Sequence, residues 1–112
     1  MPKVIINILE GKTQNVKDTL LDTIHKVLVD TIHIQEYDRL HIVHEHSRSS
    51  FCMPNTGEGD YINIDIIMYP GRSLQKKENL FQTMKARLGE LGLAANNIMI
   101  TLHEPDIHNW SS

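Results

Sequence analysis

Met1-Pro2 is the residue pair in this 112-residue chain with the clearest capacity for acid–base chemistry. Removal of the initiator methionine would leave Pro2 as a free secondary amine, and a free α-amino group has a reference pKa of about 8. Burial in an apolar pocket disfavours the charged amine and lowers its pKa towards neutrality, where it can act as a general base or acid. While Met1 stays attached, the Pro2 nitrogen is an amide and has no basicity.

Arg72 is the candidate anion binder. The motif Gly71-Arg72-Ser73 lies where a predicted strand turns into a predicted helix. Backbone N–H groups at a helix N-terminus favour an anion, and a guanidinium beside them can bind a carboxylate through two hydrogen bonds. The functional interpretation is therefore a clamp for a substrate carboxylate, and the alternative is a solvated surface arginine.

Asp38 and Arg39 precede a predicted strand and are the next candidates. Beside a catalytic amine, the Asp38 carboxylate could orient or deprotonate a water molecule, or raise the pKa of the amine. The alternative for Asp38 is a solvated loop residue. Arg39 could contact a substrate or pair with Asp38.

Histidine and cysteine residues give weaker signals. His44 and His46 are predicted to share one face of a strand and His41 to occupy the other. Two histidines bind zinc only with further ligands, and no third ligand follows at an informative spacing, so we predict no metal site. Cys52 lies in a polar loop without a recognisable His–Asp partner, so we do not expect a nucleophile there.

The surroundings of two further side chains are predicted only from their positions in the sequence. Trp110 in the C-terminal tail would pack at a subunit contact or form a wall over the amine. His25, between Ile24 and Val27 on the first predicted helix, is expected to be partly exposed beside the apolar stripe.

Hydrophobic periodicity supplies the elements that must position these residues. Strands are predicted over residues 2–9, 40–46, 62–69 and 98–102. Two helices are predicted to begin at the N-cap residues Thr13 and Ser73. Their inward-facing residues are predicted to be Val16, Leu20, Ile24, Val27, Leu28 and Thr31 or Ile32 in the first helix and Leu80, Met84, Leu88 and Leu91 in the second.

The two halves of the chain resemble each other. Gly11-Lys12-Thr13 recurs 60 residues later as Gly71-Arg72-Ser73, and Val43-His44-Glu45 recurs 59 residues later as Leu102-His103-Glu104. This favours a duplicated β-α-β unit, although any two such units share some periodicity. We predict one domain over residues 1–112, with pseudo-repeats at about 2–46 and 62–104 and a linking loop at 47–61.

Duplication predicts an α/β (α+β) fold built on a four-stranded mixed sheet. Strands within a β-α-β unit run parallel, and a two-fold axis between the units would make the first and third strands antiparallel. Pro2, Asp38, Arg39 and Arg72 would then converge on one edge of the sheet. Lys12, the counterpart of Arg72, would lie at the opposite edge.

Composition excludes several classes of function. The formal net charge is −3 and no cluster of lysine and arginine occurs, so we expect no nucleic-acid partner. No apolar run approaches the roughly 20 residues that span a bilayer, and no signal peptide is recognisable, so we expect no membrane partner. Cys52 is the only cysteine, which favours a reducing compartment and a cytoplasmic location.

Taken together, Pro2, the repeated unit and Arg72 resemble the tautomerase superfamily. The similarity is greatest to the malonate semialdehyde decarboxylase-like branch of fused β-α-β proteins, and it spans nearly the whole chain. The matching segments are Pro2 with residues 8–13, Asp38-Arg39, Arg72-Ser73 with Gln75-Lys76, and residues 98–104 continuing into Asn109-Trp110-Ser111.

The resemblance implies a fold with two helices on one face of the sheet and a homotrimer around a barrel-like core. It implies Pro2 as the catalytic amine, Arg72 as the carboxylate binder, Asp38 as a water-activating or proton-relaying residue, and Trp110 as part of a hydrophobic wall. That branch carries a second arginine two residues before the position of Arg72. Here Pro70 occupies that position, which weakens the expectation of decarboxylase and hydratase chemistry.

We therefore predict a cofactor-free tautomerase that interconverts keto and enol forms of a small 2-oxo acid, with neutral Pro2 as general base. The first alternative is a decarboxylase- or hydratase-like lyase that uses protonated Pro2 with Asp38. The second alternative is a non-catalytic, trimeric binding protein, which retention of Met1 would indicate.

Overall fold

The computed structural model describes residues 2–54 and 59–112. The strands are β1 (Lys3–Leu9), β2 (Leu40–His46), β3 (Ile62–Ile67) and β4 (Ile98–His103), and the helices are α1 (Gln14–Ile32) and α2 (Leu74–Glu90). Short 3₁₀ helices cover Ala95–Asn97 and Ile107–Asn109. The fate of Met1 and part of the predicted linking loop lie outside the described residues. Within them, no helix is long and apolar enough to cross a membrane.

The four strands form one mixed sheet in the order β2-β1-β3-β4. β1 is parallel to β2 and antiparallel to β3, and β3 is parallel to β4. The predicted α/β fold of two tandem β-α-β units is therefore confirmed. β2 and β4 are its two outer strands.

Both helices cover one face of this sheet, because alternate strand residues are apolar on that side. The core contains Val4, Ile6 and Ile8 from β1 and Ile62, Ile64 and Ile66 from β3, each at most 1% exposed. The helices contribute leucine, isoleucine, valine and methionine side chains at helical spacing, namely Leu20, Ile24, Val27, Leu28, Leu80, Met84 and Leu88.

The two helices begin with equivalent side-chain N-caps. Thr13 caps α1 through a hydrogen bond from the Val16 N–H, and Ser73 caps α2 through one from the Lys76 N–H. Gly11 (φ 106°) and Gly71 (φ 116°) lie two residues before these caps. Both need the positive φ that a residue with a Cβ adopts only at a cost, so the tight turn from strand to helix explains both glycines.

Three predictions about burial are wrong. Leu91 is 44% exposed and Val16 is 50% exposed, whereas His25 is 5% exposed. α2 ends before Leu91 because Gly92 (φ 101°) takes a left-handed conformation and the Leu93 N–H bonds back to the Leu88 carbonyl, which buries Leu93 instead. His25 is covered because the chain after α1 folds back over it, and a ring nitrogen lies 2.8 Å from the Glu36 carbonyl oxygen.

Candidate active site at the Pro2 edge

Pro2 is buried at the beginning of β1. The adjacent residue, Lys3, is paired with Leu40 at the start of β2 and with Ile67 at the end of β3. One edge of the sheet therefore gathers the N-terminus, the residues just before β2 and those just after β3. We refer to it as the Pro2 edge, and it is the convergence that the sequence predicted.

Arg72 lies at this edge on the turn that leads from β3 into α2. Its Nη1 donates a hydrogen bond to the Tyr69 carbonyl oxygen at 3.3 Å, and the residue is half-buried. The bond holds the guanidinium against the backbone that follows β3. The adjacent Ser73 begins α2, so the cation lies beside helix N–H groups that also favour an anion.

Asp38 lies at the same edge, two residues before β2. Its backbone N–H bonds to the Gln35 carbonyl at 3.0 Å, and one carboxylate oxygen is shielded from solvent. Arg39 is exposed and its Nη1 pairs with Asp22 on α1 at 2.8 Å. The structure thus brings Asp38 to the Pro2 edge and engages Arg39 with a helix carboxylate.

The C-terminal tail also crosses this edge, because β4 ends beside the end of β3. The Trp110 ring lies edge-on to the Tyr69 ring, with centroids 4.9 Å apart, and its Nε1 donates to the Pro105 carbonyl. Tyr69 further donates its hydroxyl to the Ser112 carbonyl at 2.5 Å. Tyr69 was not a sequence candidate. Its only signal was its position three residues before Arg72, on the side of the sheet away from the helices.

A pair of histidines lies behind the edge, between α1 and β2. The rings of His25 and His41 meet edge-to-face with centroids 5.9 Å apart, and both ring nitrogens of His41 are buried without a hydrogen-bond partner in the described structure. Burial lowers the pKa of His41 to about 4, assisted by the positive charge of Arg39 and by the neighbouring His25 ring. His41 is therefore neutral at physiological pH.

The open face of the sheet carries the other strand histidines. His46 bonds to the Asn7 side chain at 2.6 Å, the rings of His44 and His46 are 6.4 Å apart, and His103 pairs with Asp65 at 2.8 Å. Over residues 2–54 and 59–112, no three metal-ligating side chains group together.

A solvent-open cavity of about 270 Å³ lies far from Pro2, at the opposite edge of the sheet. Lys12 is part of its wall and pairs with Asp60 at 2.9 Å. Arg72 and Lys12 occupy equivalent positions in the sequence repeat. In the structure they lie at opposite edges of the sheet.

Comparison with known proteins identifies the family and supports the fold. Two family models, each described as "Tautomerase enzyme", match the chain over residues 38–112 and residues 2–57. The chain belongs to the tautomerase family. A probable tautomerase of Bacillus subtilis, YrdN, is 28% identical over 116 residues, covering 99% of this chain and 90% of that protein.

Two solved structures show the same fold. One is the malonate semialdehyde decarboxylase FG41 inhibited by 3-bromopropiolate, with a TM-score of 0.87, 23% identity and coverage of 97% of this chain and 87% of that chain. The other is a symmetric trimer of wild-type fused 4-OT, with a TM-score of 0.85, 15% identity and coverage of 97% and 89%. Membership of the family identifies the chain as a tautomerase-type enzyme.

Proposed function

We propose that this protein is a cofactor-free tautomerase that uses the free Pro2 amine to interconvert the keto and enol forms of a small 2-oxo acid. The observation that carries the proposal is the buried position of Pro2 on the edge that also holds Arg72. An amine in a dry setting beside a guanidinium combines a proton carrier with a carboxylate anchor.

The reaction needs no redox or acyl chemistry. The neutral Pro2 nitrogen removes the proton of the enol hydroxyl, and the ammonium that results returns a proton to the neighbouring carbon, so the product is the 2-oxo acid. Arg72 binds the substrate carboxylate and keeps the enol within reach of the amine. Burial of Pro2 lowers the pKa of its amine, so that the basic form is populated near neutral pH.

We further propose that three chains associate through the open face of the sheet. This face exposes Leu40, Ile42 and Met99, which are 40%, 39% and 47% exposed in the single chain. Exposed apolar strand residues and unpaired edge strands need a cover. A trimer such as that of the structurally similar fused 4-OT would supply it and would help to close the Pro2 edge. The single, exposed Cys52 is consistent with a cytoplasmic location.

A lyase reaction is the second candidate, and the position of Asp38 favours it. A half-buried carboxylate at the Pro2 edge stabilises a protonated amine, and Asp38 could then activate water while the Pro2 ammonium polarises a carbonyl. A malonate semialdehyde decarboxylase shares the fold, but Pro70 stands two residues before Arg72. Because proline carries no cation, this site has less charge available for that chemistry.

Turnover of phenylpyruvate enol by wild type and by Pro2→Ala tests the proposal. The alanine variant keeps a free amine but places a primary amine of different geometry at the site, so we expect kcat/KM to fall at least about tenfold. Intact mass measures whether Met1 is removed. Equal rates for the two proteins would contradict a catalytic role for the Pro2 amine, whereas retained Met1 with no turnover would support the non-catalytic binding protein.

A further inference from the structure

The pseudo-symmetry of the chain creates two equivalent crevices between α1 and α2. The first crevice is lined by Asn15, Val16, Thr19, Leu91 and Leu93. The second is lined by the residues that lie 60 positions from each of these in the sequence. In the same order, they are Gln75, Lys76, Asn79, Thr31 and His33. Each crevice lies between the first turns of one helix and the exit of the other. They occupy opposite ends of the helical layer.

The two crevices differ in chemistry. The crevice near Ser73 is lined by polar and charged side chains. The other, which we call the Lys12 cavity, has a floor of Ile8, Leu20 and Ile62, each at most 4% exposed. Val16 and Leu91 are the two apolar residues whose exposure contradicted the hydrophobic pattern, and both line this cavity.

The Lys12 cavity also corresponds to the Pro2 edge of the other half. Sixty residues separate Pro2 from Ile62 and Lys12 from Arg72, and both Ile62 and Lys12 line the cavity. This half of the molecule thus keeps a cation but has an isoleucine where the other half has its amine. It is equipped to bind a molecule, but the amine chemistry is absent.

We propose that the Lys12 cavity is a second binding site, for a small apolar molecule of about one ring that carries a hydrogen-bond acceptor. A volume of about 270 Å³ suits such a ligand, since an engineered apolar cavity of about 150 Å³ in another protein binds benzene. Apolar walls with a few convergent polar groups are characteristic of ligand sites.

Lys12 supplies the polar contact. Its side chain is 17% exposed, and its ammonium donates to the Leu9 carbonyl at 3.3 Å and to Asp60 at 2.9 Å among the described residues. An ammonium has three donors, so one N–H remains for an acceptor in the cavity. The Asp60 carboxylate balances the lysine charge, which favours a neutral ligand over an anion and separates this site from the Arg72 site.

Binding of acetophenone to the full chain, followed through backbone amide signals by NMR, tests the proposal. We expect saturable shifts at Val16, Thr19 and Leu91 with a Kd of about 1 mM, and we expect Pro2→Ala to retain them. Lys12→Met should weaken acetophenone binding at least threefold but change the binding of α-methylstyrene less than twofold, because that isostere lacks the acceptor oxygen.

Matched substitutions in the two crevices distinguish a specific binding site from nonspecific binding to the protein surface. Thr19→Phe should fill the Lys12 cavity and weaken both probes at least tenfold, whereas Asn79→Phe at the equivalent position of the polar crevice should leave them unchanged. If Thr19→Phe does not fold, Val16→Glu with Lys76→Glu as its control provides the same contrast. Wild-type affinity in both cavity variants, or shifts confined to the Pro2 edge, would overturn the proposal.

Discussion

Arg72 differs from two other arginines of the molecule in what its guanidinium contacts. Arg39 and Arg87 pair with the carboxylates of Asp22 and Asp30, whereas Arg72 bonds to a backbone carbonyl. A carbonyl satisfies one donor without neutralising the cation. Over residues 2–54 and 59–112 no carboxylate pairs with Arg72, so its charge is available for a substrate carboxylate.

Arg72→Ala is expected to raise KM for phenylpyruvate enol at least about tenfold, with a smaller change in kcat, because the lost contact exists in both ground and transition states. Steady-state kinetics of Arg72→Ala and of Arg87→Ala, a control arginine at the end of α2, check this. A KM increase of similar size in both variants would contradict a specific role for Arg72.

His41 gives the fold a pH dependence of defined sign. Its pKa is lowered from 6.5 to about 4, so the unfolded chain binds the proton more readily than the folded one. Stability should therefore fall as pH decreases from about 6.5 towards 4. Because the ring is only partly buried, we expect a loss on the order of 1–2 kcal/mol after discounting for solvent screening.

Urea unfolding at pH 7 and pH 4.5 measures this loss. His41→Leu should show a smaller decrease in the free energy of unfolding between the two pH values than wild type. The exposed tail variant His108→Gln should behave like wild type. An identical pH dependence in wild type and His41→Leu would show that another group is responsible.

The location of candidate residues was predictable where it depended on local sequence and not where it depended on tertiary packing. Pro2 and Arg72 were candidates because a terminus and a strand-to-helix turn are local features, and their catalytic roles stay predictions. Tyr69 and the buried His25 could not, since the tail that reaches Tyr69 and the loop that covers His25 are placed by tertiary packing.

At the scale of elements, an N-cap residue begins the helix at each of the two edges. Thr13 and Ser73 have nearly the same backbone angles, φ −69° and ψ 162° against φ −68° and ψ 157°, and each accepts one hydrogen bond from the first turn. Their local sequence was sufficient to predict them. The exposure of Leu91 was less predictable, because the hydrophobic spacing continues to Leu91 although Gly92 ends the helix.

Replacing either cap by alanine is expected to lower the free energy of unfolding by about 1 kcal/mol. Only Ser73→Ala should also lower kcat/KM for phenylpyruvate enol, since it loosens the turn that carries Arg72, whereas Thr13→Ala disturbs the opposite edge. Denaturant titrations and kinetics of both variants provide the comparison. Equal kinetic losses would indicate that the caps act only through global stability.

For the whole molecule, the asymmetry between the two sheet faces is the dominant feature. One face is sealed by α1 and α2, and the other exposes Leu40, Ile42 and Met99 together with strand histidines. The sequence predicted the alternation, because strand residues have a period of two. It could not reveal whether another chain covers the open face, since contacts between chains leave no local pattern in the sequence.

Sedimentation equilibrium tests the proposed assembly. Wild type is expected to behave as three chains of 12.9 kDa each, and Ile42→Glu on the open face should dissociate it because a buried, unpaired carboxylate is costly. Leu74→Glu, at a 72% exposed position on α2, is the control and should remain associated. A monomeric wild type, or a trimeric Ile42→Glu, would contradict this mode of association.

The central claim concerns the Pro2 nitrogen, and an NMR titration of protein labelled with ¹⁵N at Pro2 tests it most directly. We predict the signal of a free amine whose pKa is clearly lower than the value of about 8 for an ordinary α-amino group, because Pro2 is buried. An amide signal that does not titrate, or an amine whose pKa exceeds that ordinary value, would contradict catalysis by a neutral proline base.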